Sequence, residues 1–474
     1  MSKFSLKSLF GAQDMPVGNP TSVLIKFAIP LLIGNFAQQM YNTVDAIVVG
    51  HYIGDTALAS VGAANPILNL LMSLFMGVAG GAGIIVSQAF GAKDREKLSR
   101  AVGSILFLTV LAGVAVTVLG MLIARPMLIL LDTPAEILGE HLLDGASGYL
   151  FIFMAGFLGC SFYNMGSGIL RGLGDAVMPL IYLVICCIIN IVLDITFVGF
   201  LSMGVPGVAL ATVIAQMVSG VLCMIRLAKM RDVLDVKMGL ILKPDVNLCG
   251  HVVKVGAPSG LTQAVFSCAG LVVQALANSF GTTFIAANIV IMRVDGFAMM
   301  PNFSLGMAMT TYVGQNIGAG NSKRVNEAAK YGLRISLTIC AVLVLALVLF
   351  GEYLARMFSS TPEVVDLSVR MLRVLAVGYL AVAVTQVLTG IMRGAGDTVT
   401  PMFVSIFTTV VLRVPLAYLM AFLTRSEAYP VGRPEVMFIS MLISWVVGAA
   451  ITAVVYMRGG WKKKYKAIAD RKPA

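Results

Sequence analysis

The chain has 474 residues, of which 58% are hydrophobic and 12% charged, and a formal net charge of +11. Soluble domains carry about 25% charged residues, so this composition leaves too little polar surface to cover a water-soluble globule and reads as an integral membrane protein. The seven cysteines are scattered without a C-x-x-C, and His51, His141 and His251 lie far apart in sequence, so neither a disulfide framework nor a metal-ligand set is indicated.

The opening stretch, MSKFSLKSLFGAQDMPVGNP, is polar and mildly amphipathic and does not read as a cleavable signal peptide. A membrane-spanning helix needs about 20 mostly apolar residues. Twelve runs meet that need, centred near residues 39, 75, 112, 153, 188, 215, 266, 300, 341, 378, 412 and 446. The first run holds Asp45 within YNTVDAIVVG, with Asn35, Gln38, Tyr41 and Asn42 on the same helical stripe. Pro30 precedes them and offers a bend, because proline has no N–H for the preceding turn. The second run carries GVAGGAG (77–83), whose small residues suit close helix packing. No strand precedes it and no Lys-Ser/Thr follows, which argues against a phosphate loop.

The fourth run brings Tyr149, Tyr163 and Asn164. The fifth, IINIVLDITFV, places Asn190 and Asp194 four apart on one face, and the sixth offers Thr212. The eighth contains Met292, Met299, Met300, Met307 and Met309. Methionine suits a pocket that repacks around varied apolar ligands, and it equally suits ordinary bundle packing. Arg293 and Asp295 stand in MRVDGF, read here as the outer start of this run. Asp295 would pair locally with Arg293 or with Arg413 of the eleventh run, or serve gating or substrate attraction.

Alternate loops fall on opposite sides, and most of the 34 Lys and Arg lie on the side that carries both termini. That places both termini in the cytoplasm. The basic charge is then accounted for without a nucleic-acid partner.

The chain repeats itself. GAKDREKLSRA (91–101) aligns with GAGNSKRVNEA (318–328), and ILRGLGDAVMP (169–179) with IMRGAGDTVTP (391–401), seven of the last eleven positions being identical. The repeat implies two parallel six-helix bundles related by an axis along the membrane normal, with the pathway between them. The expected organisation is an N-lobe over 1–225, a cytoplasmic linker over 226–254, a C-lobe over 255–458 and a basic cytoplasmic tail over 459–474.

Asp45 and Asp194 have no counterpart in the second half, where Val272 and Leu416 stand in their places. A charge at the centre of a span costs roughly 2.5–3.5 kcal/mol, so the scaffold alone does not explain them. Two carboxylates among amide and hydroxyl oxygens make a hard-oxygen chamber suited to H⁺ or a small cation such as Na⁺, and protons would leave such a pair in coupled steps. The alternative is structural: Asp45 near the outer end of its span reaching water, Asp194 capping or pairing with a neighbouring helix.

At these residues the sequence closely resembles the multidrug and toxic compound extrusion (MATE) family over nearly the whole chain. The likeness rests on twelve spans, the GA-x loops after the second and eighth, the RG-x-GD loops after the fourth and tenth, and the acids of the N-lobe. The acid pattern resembles the DinF-type branch. That likeness implies a cation site at Asp45, Asn190, Asp194 and Thr212, further polar cavity positions at Gln38, Tyr41, Tyr149 and Asn164, and a first-helix proline at Pro30. It also implies a V-shaped, all-α membrane transporter exporting cationic amphipathic compounds in exchange for H⁺ or Na⁺. The NorM-type branch has acids on the seventh and tenth helices; here those runs contain none.

The expected protein is therefore not an enzyme and needs no cofactor beyond its coupling ion. Its partners would be small organic cations and the bilayer of the plasma membrane, and a monomer suffices. Asn42, Tyr163, Met292, Met299, Arg293 and Asp295 join the expected substrate cavity. A lipid-linked saccharide flippase is the competing transporter, but only Arg293 and Arg413 lie within spans to meet a pyrophosphate. An exporter of an endogenous metabolite also stays open.

Overall fold

The computed structural model describes residues 12–52, 55–130, 142–427 and 429–463. The opening residues, His141 and all but the start of the basic tail lie outside them. Among the described residues the regular structure is helical throughout. Eleven helices are long and apolar enough to cross a membrane, or twelve when a pair bent by 55° is taken as one span. The first half runs α1 (Pro20–Tyr52), α2 (Asp55–Gly91), α3 (Arg95–Leu130), the bent pair α4 (Leu142–Ala155) and α5 (Phe157–Gly172), α6 (Val177–Asp194) and α7 (Gly204–Lys229). After the short α8 (Met238–Leu242) come α9 (Val246–Ser279), α10 (Thr282–Gly318), α11 (Ser322–Arg356) and α12 (Pro362–Gly394). They are followed by α13 (Val399–Ile406), α14 (Val414–Leu423) and α15 (Val436–Arg458).

Internal contacts divide the chain into two compact units. The first comprises Ile33–Gly260 with the segment ending at Asp14; the second comprises Met15–Leu32 and Leu261–Ala474. Both boundaries fall inside long helices, α1 and α9, at positions that the repeat nearly aligns. Each unit has its own core. Phe75 meets Phe157 edge-on at 5.6 Å in the first, and Phe280 meets Phe284 at 5.2 Å in the second. Helices that already sit in lipid gain little from burying apolar surface, so close packing has to hold them together. The GVAGGAG stretch supplies it in the first unit. A Cβ on Gly77 would stand 2.1 Å from the Gly260 nitrogen, and one on Gly81 would stand 2.6 Å from the Gly256 Cα, so α2 and α9 touch backbone to backbone.

The repeated RG-x-GD stretch is a helix corner. Gly174 and Gly396 adopt φ of +85° and +84°, a region open to glycine. The aspartate that follows each glycine caps the next helix: Asp175 Oδ1 accepts from the Met178 N–H at 3.1 Å, and Asp397 Oδ1 from the Thr400 N–H at 3.4 Å. In the first unit Asp175 is fully buried and also accepts from Arg226 Nη2 at 3.0 Å. Removing one partner of a buried pair costs about 3–5 kcal/mol, and the partial exposure of Arg226 points to the lower end. Asp175→Asn keeps a cap acceptor, whereas Asp175→Ala loses about 1 kcal/mol more. Thermal unfolding in detergent is expected to rank wild type above Asp175→Asn and that above Asp175→Ala; equal midpoints would refute the assignment.

Candidate cation site

Asn190 and Asp194 occupy the last turn and a half of α6, on one face and both fully buried. A π-helical stretch, Ile195–Phe200, begins directly after Asp194. Such wide turns shift the helical register locally and gather at functional positions. Thr212 on α7 is buried opposite. Its hydroxyl donates to the Val208 carbonyl of its own helix at 3.0 Å, so its proton is committed. Asn190 Nδ2 in turn donates to Thr212 Oγ1 at 3.4 Å. That contact uses one of the two N–H groups of Asn190 and leaves its oxygen, Oδ1, without a partner.

Asp45, half-buried on α1, is a neighbour of Asp194. Tyr41 borders Asp45 and Thr212, and Tyr149 borders both carboxylates. Asp45 Oδ1, Asn190 Oδ1 and both carboxylate oxygens of Asp194 are buried and accept no hydrogen bond among the described residues. Two ionised carboxylates have no proton to offer each other. The cluster thus holds four buried acceptor oxygens with no hydrogen bond among the described residues, an arrangement that an added proton or small cation would satisfy.

Not every residue that the sequence groups with the site joins it. Gln38 Nε2 donates to Asn42 Oδ1 at 3.4 Å on the exposed side of α1. Asn164 spends its amide on its own helix, donating to the Cys160 carbonyl at 2.9 Å. Tyr163 sits by Arg171 and Cys223. Among the methionines, Met299, Met300 and Met309 are packed inside the second unit, whereas Met292 and Met307 are open. Pro30 lies within α1, which continues through it.

Asp295 needs a correction. The sequence reading put it at the outer start of its span, but α10 begins at Thr282. At 1.5 Å per residue, Asp295 lies about 20 Å along the helix, well inside it. Its neighbours are Tyr379 and Arg413, while Arg293 points outward. Arg293 and Asp295, two apart, interrupt the apolar stretch of α10 and made it look like the helix boundary.

A family model described as MatE matches residues 30–196 and 258–419, most of the chain in two stretches. The chain belongs to the MatE family. The two matched stretches follow the internal repeat. Over its length the chain is similar to a Bacillus subtilis (strain 168) protein described as probable multidrug resistance protein YoeA, 29% identical over 92% of this chain and 93% of the relative. It is also similar to the probable multidrug resistance protein NorM of Thermotoga maritima, 26% identical over 93% of each chain. The fold matches a solved outward-facing multidrug resistance MATE transporter of the MOP superfamily with a TM-score of 0.85. Identity there is 25%, covering 97% of this chain and 99% of that one. MatE proteins are membrane transporters rather than enzymes, and this chain is one of them.

Sequence reasoning missed the π-helical stretch beside Asp194 and Tyr379 as a neighbour of Asp295; Arg413 was one of the two partners it named for that acid. Neither missed feature has a local signature.

Proposed function

We propose that this MatE protein is a secondary active efflux antiporter that exports cationic amphipathic compounds in exchange for H⁺ or Na⁺ by alternating access, with a cation site of the DinF-type pattern. The observation that carries the reading is the set of buried acceptor oxygens on Asp45, Asn190 and Asp194 in the first unit, which accept no hydrogen bond among the described residues. An empty cluster holds two facing negative charges, and an occupied one does not. Filling it therefore changes which helix packing is favoured, and a ligand can shift an equilibrium only through such a difference. The multidrug resistance names of the relatives support the substrate class. Both termini then lie on the cytoplasmic face of the plasma membrane, and a single chain is the working unit.

The test is ethidium accumulation in energised inverted membrane vesicles containing the protein. Accumulation is expected, and it should vanish when either the proton gradient or the Na⁺ gradient is dissipated; the one that matters names the coupling ion. Accumulation that survives the loss of both gradients would reject the antiport reading.

A further inference from the structure

The segment between α7 and α9 is fastened to the start of α3, all within the first unit. Ser99 Oγ accepts from the Asp235 N–H at 2.9 Å, and Ser104 Oγ accepts from the Asp245 N–H at 3.0 Å. Between these two ties α8 crosses Gly103, where a Cβ would stand 2.8 Å from the Leu240 carbonyl oxygen. The apolar run of α3 begins at Ala101, directly after Arg100. The ties therefore hold α8 at the level where that span enters the bilayer.

The apolar side chains of this segment are uncovered. Met238 and Leu242, one helical turn apart, are 67% and 72% exposed, and Val246 at the start of α9 is 78% exposed. Lys237 and Lys243 bracket α8; both are exposed, and neither forms an ion pair among the described residues. Two of the three nearby acids are engaged elsewhere. Asp235 pairs with Arg95 at 3.0 Å, and Asp245 Oδ1 accepts from the Asn247 and Leu248 N–H groups at the start of α9. Asp232 is exposed, five residues before Lys237.

Uncovered apolar side chains gathered in one short segment mark a surface that meets something. At the edge of a bilayer the occupant is lipid. Lysine stems lie along apolar surface while the ammonium stays among the headgroups. The lysines also choose the lipid, because an unpaired cation beside an apolar patch complements a headgroup of net negative charge.

We propose that α8 and its flanking lysines form a binding surface for an anionic phospholipid, with Met238, Leu242 and Val246 entering the acyl-chain boundary and Lys237 and Lys243 meeting the phosphate. The linker between the two halves of the repeat is then a foot on the membrane surface rather than a free tether. In the orientation proposed above, that surface is the cytoplasmic leaflet, the one that carries anionic lipid.

The experiment places a reporter on α8 of the full-length protein. Leu242→Trp is reconstituted into phosphatidylcholine vesicles holding a minority of phosphatidylglycerol, with the acyl chains of one lipid or the other brominated to quench nearby indoles. The unmutated protein, run in parallel, supplies the signal of Trp445 and Trp461 for subtraction. The added tryptophan is expected to be quenched, and more strongly by brominated phosphatidylglycerol than its share of the bilayer explains. Lys237→Gln and Lys243→Gln, each added to Leu242→Trp, should each lower that preference about fivefold, the worth of one basic side chain near an anionic surface. Quenching in proportion to bulk composition, unmoved by either lysine change, overturns the anionic-lipid surface. No quenching by either lipid overturns the membrane contact altogether. Met238→Trp repeats the measurement if Leu242→Trp does not fold. Both leaflets of such vesicles carry the same lipids and no transport is read, so the outcome is independent of the export reading and of the orientation.

Discussion

Asp194→Asn, and separately Asp45→Asn, are expected to bring drug accumulation down to parity with the medium while leaving the protein folded. The size of the loss follows from the driving force. One charge moved through 100 mV is worth about 2.3 kcal/mol, which corresponds to roughly a fifty-fold concentration ratio per coupled charge. A variant that cannot exchange the ion forfeits that ratio. The same substitution acts on stability in the opposite direction. The wild-type cluster faces acceptor against acceptor, and an asparagine amide brings the missing donor. A net gain of about 0.5–1.5 kcal/mol is the ordinary worth of such a hydrogen bond. Transport and thermal unfolding should therefore part company, the first lost and the second equal or higher. If Asp194 were only a structural cap, its replacement would lower the unfolding midpoint and spare accumulation. That pattern would end the antiport mechanism proposed here.

The architecture was open to sequence reading because its causes are one-dimensional. Apolar runs of span length, a biased loop charge and two aligned RG-x-GD corners survive without knowledge of what packs on what. The acids of the first half were readable for a related reason: a carboxylate in an apolar run is costly wherever the helix turns, and Asn190 and Asp194 share a face by spacing alone. What lay beyond reach depends on three dimensions. Tyr163 and Asn164 lie on α5, where Asn164 donates to the Cys160 carbonyl and Tyr163 sits by Arg171 and Cys223. Asp295 looked peripheral because it and Arg293 place two charges within three residues, a pattern that resembles a helix end. The commitment of the Thr212 proton to Val208, which withholds that donor from the carboxylates, has no sequence signature at all.

Pro30→Ala should slow efflux by about ten- to a hundredfold while ion binding stays within a few-fold of wild type. The argument begins with the helix. Proline inside a helix removes a backbone hydrogen bond and weakens it by about 3 kcal/mol, so alanine at position 30 restores a stiff rod. Stiffness matters because α1 does not belong to one unit. Leu24 and Phe27, before the proline, are buried in the second unit, whereas Tyr41 and Asp45, after it, belong to the first; the division falls between Leu32 and Ile33. A change of charge at Asp45 thus acts on one half of a helix whose other half is anchored in a different body. Under the proposed mechanism α1 bends when the site fills, and Pro30 is the position at which a backbone hydrogen bond is missing. Stiffening it by up to 3 kcal/mol would deplete a bent form about a hundredfold at most, at 1.4 kcal/mol per factor of ten. Since Pro30 lies four turns before Asp45, the oxygens of the proposed cation site are untouched, which is why binding and turnover should separate. The readouts are ²²Na⁺ or proton uptake by the detergent-purified protein for binding and dye accumulation for turnover. Wild-type accumulation by Pro30→Ala would show that α1 transmits the signal as a rigid rod, and the hinge would have to be sought elsewhere.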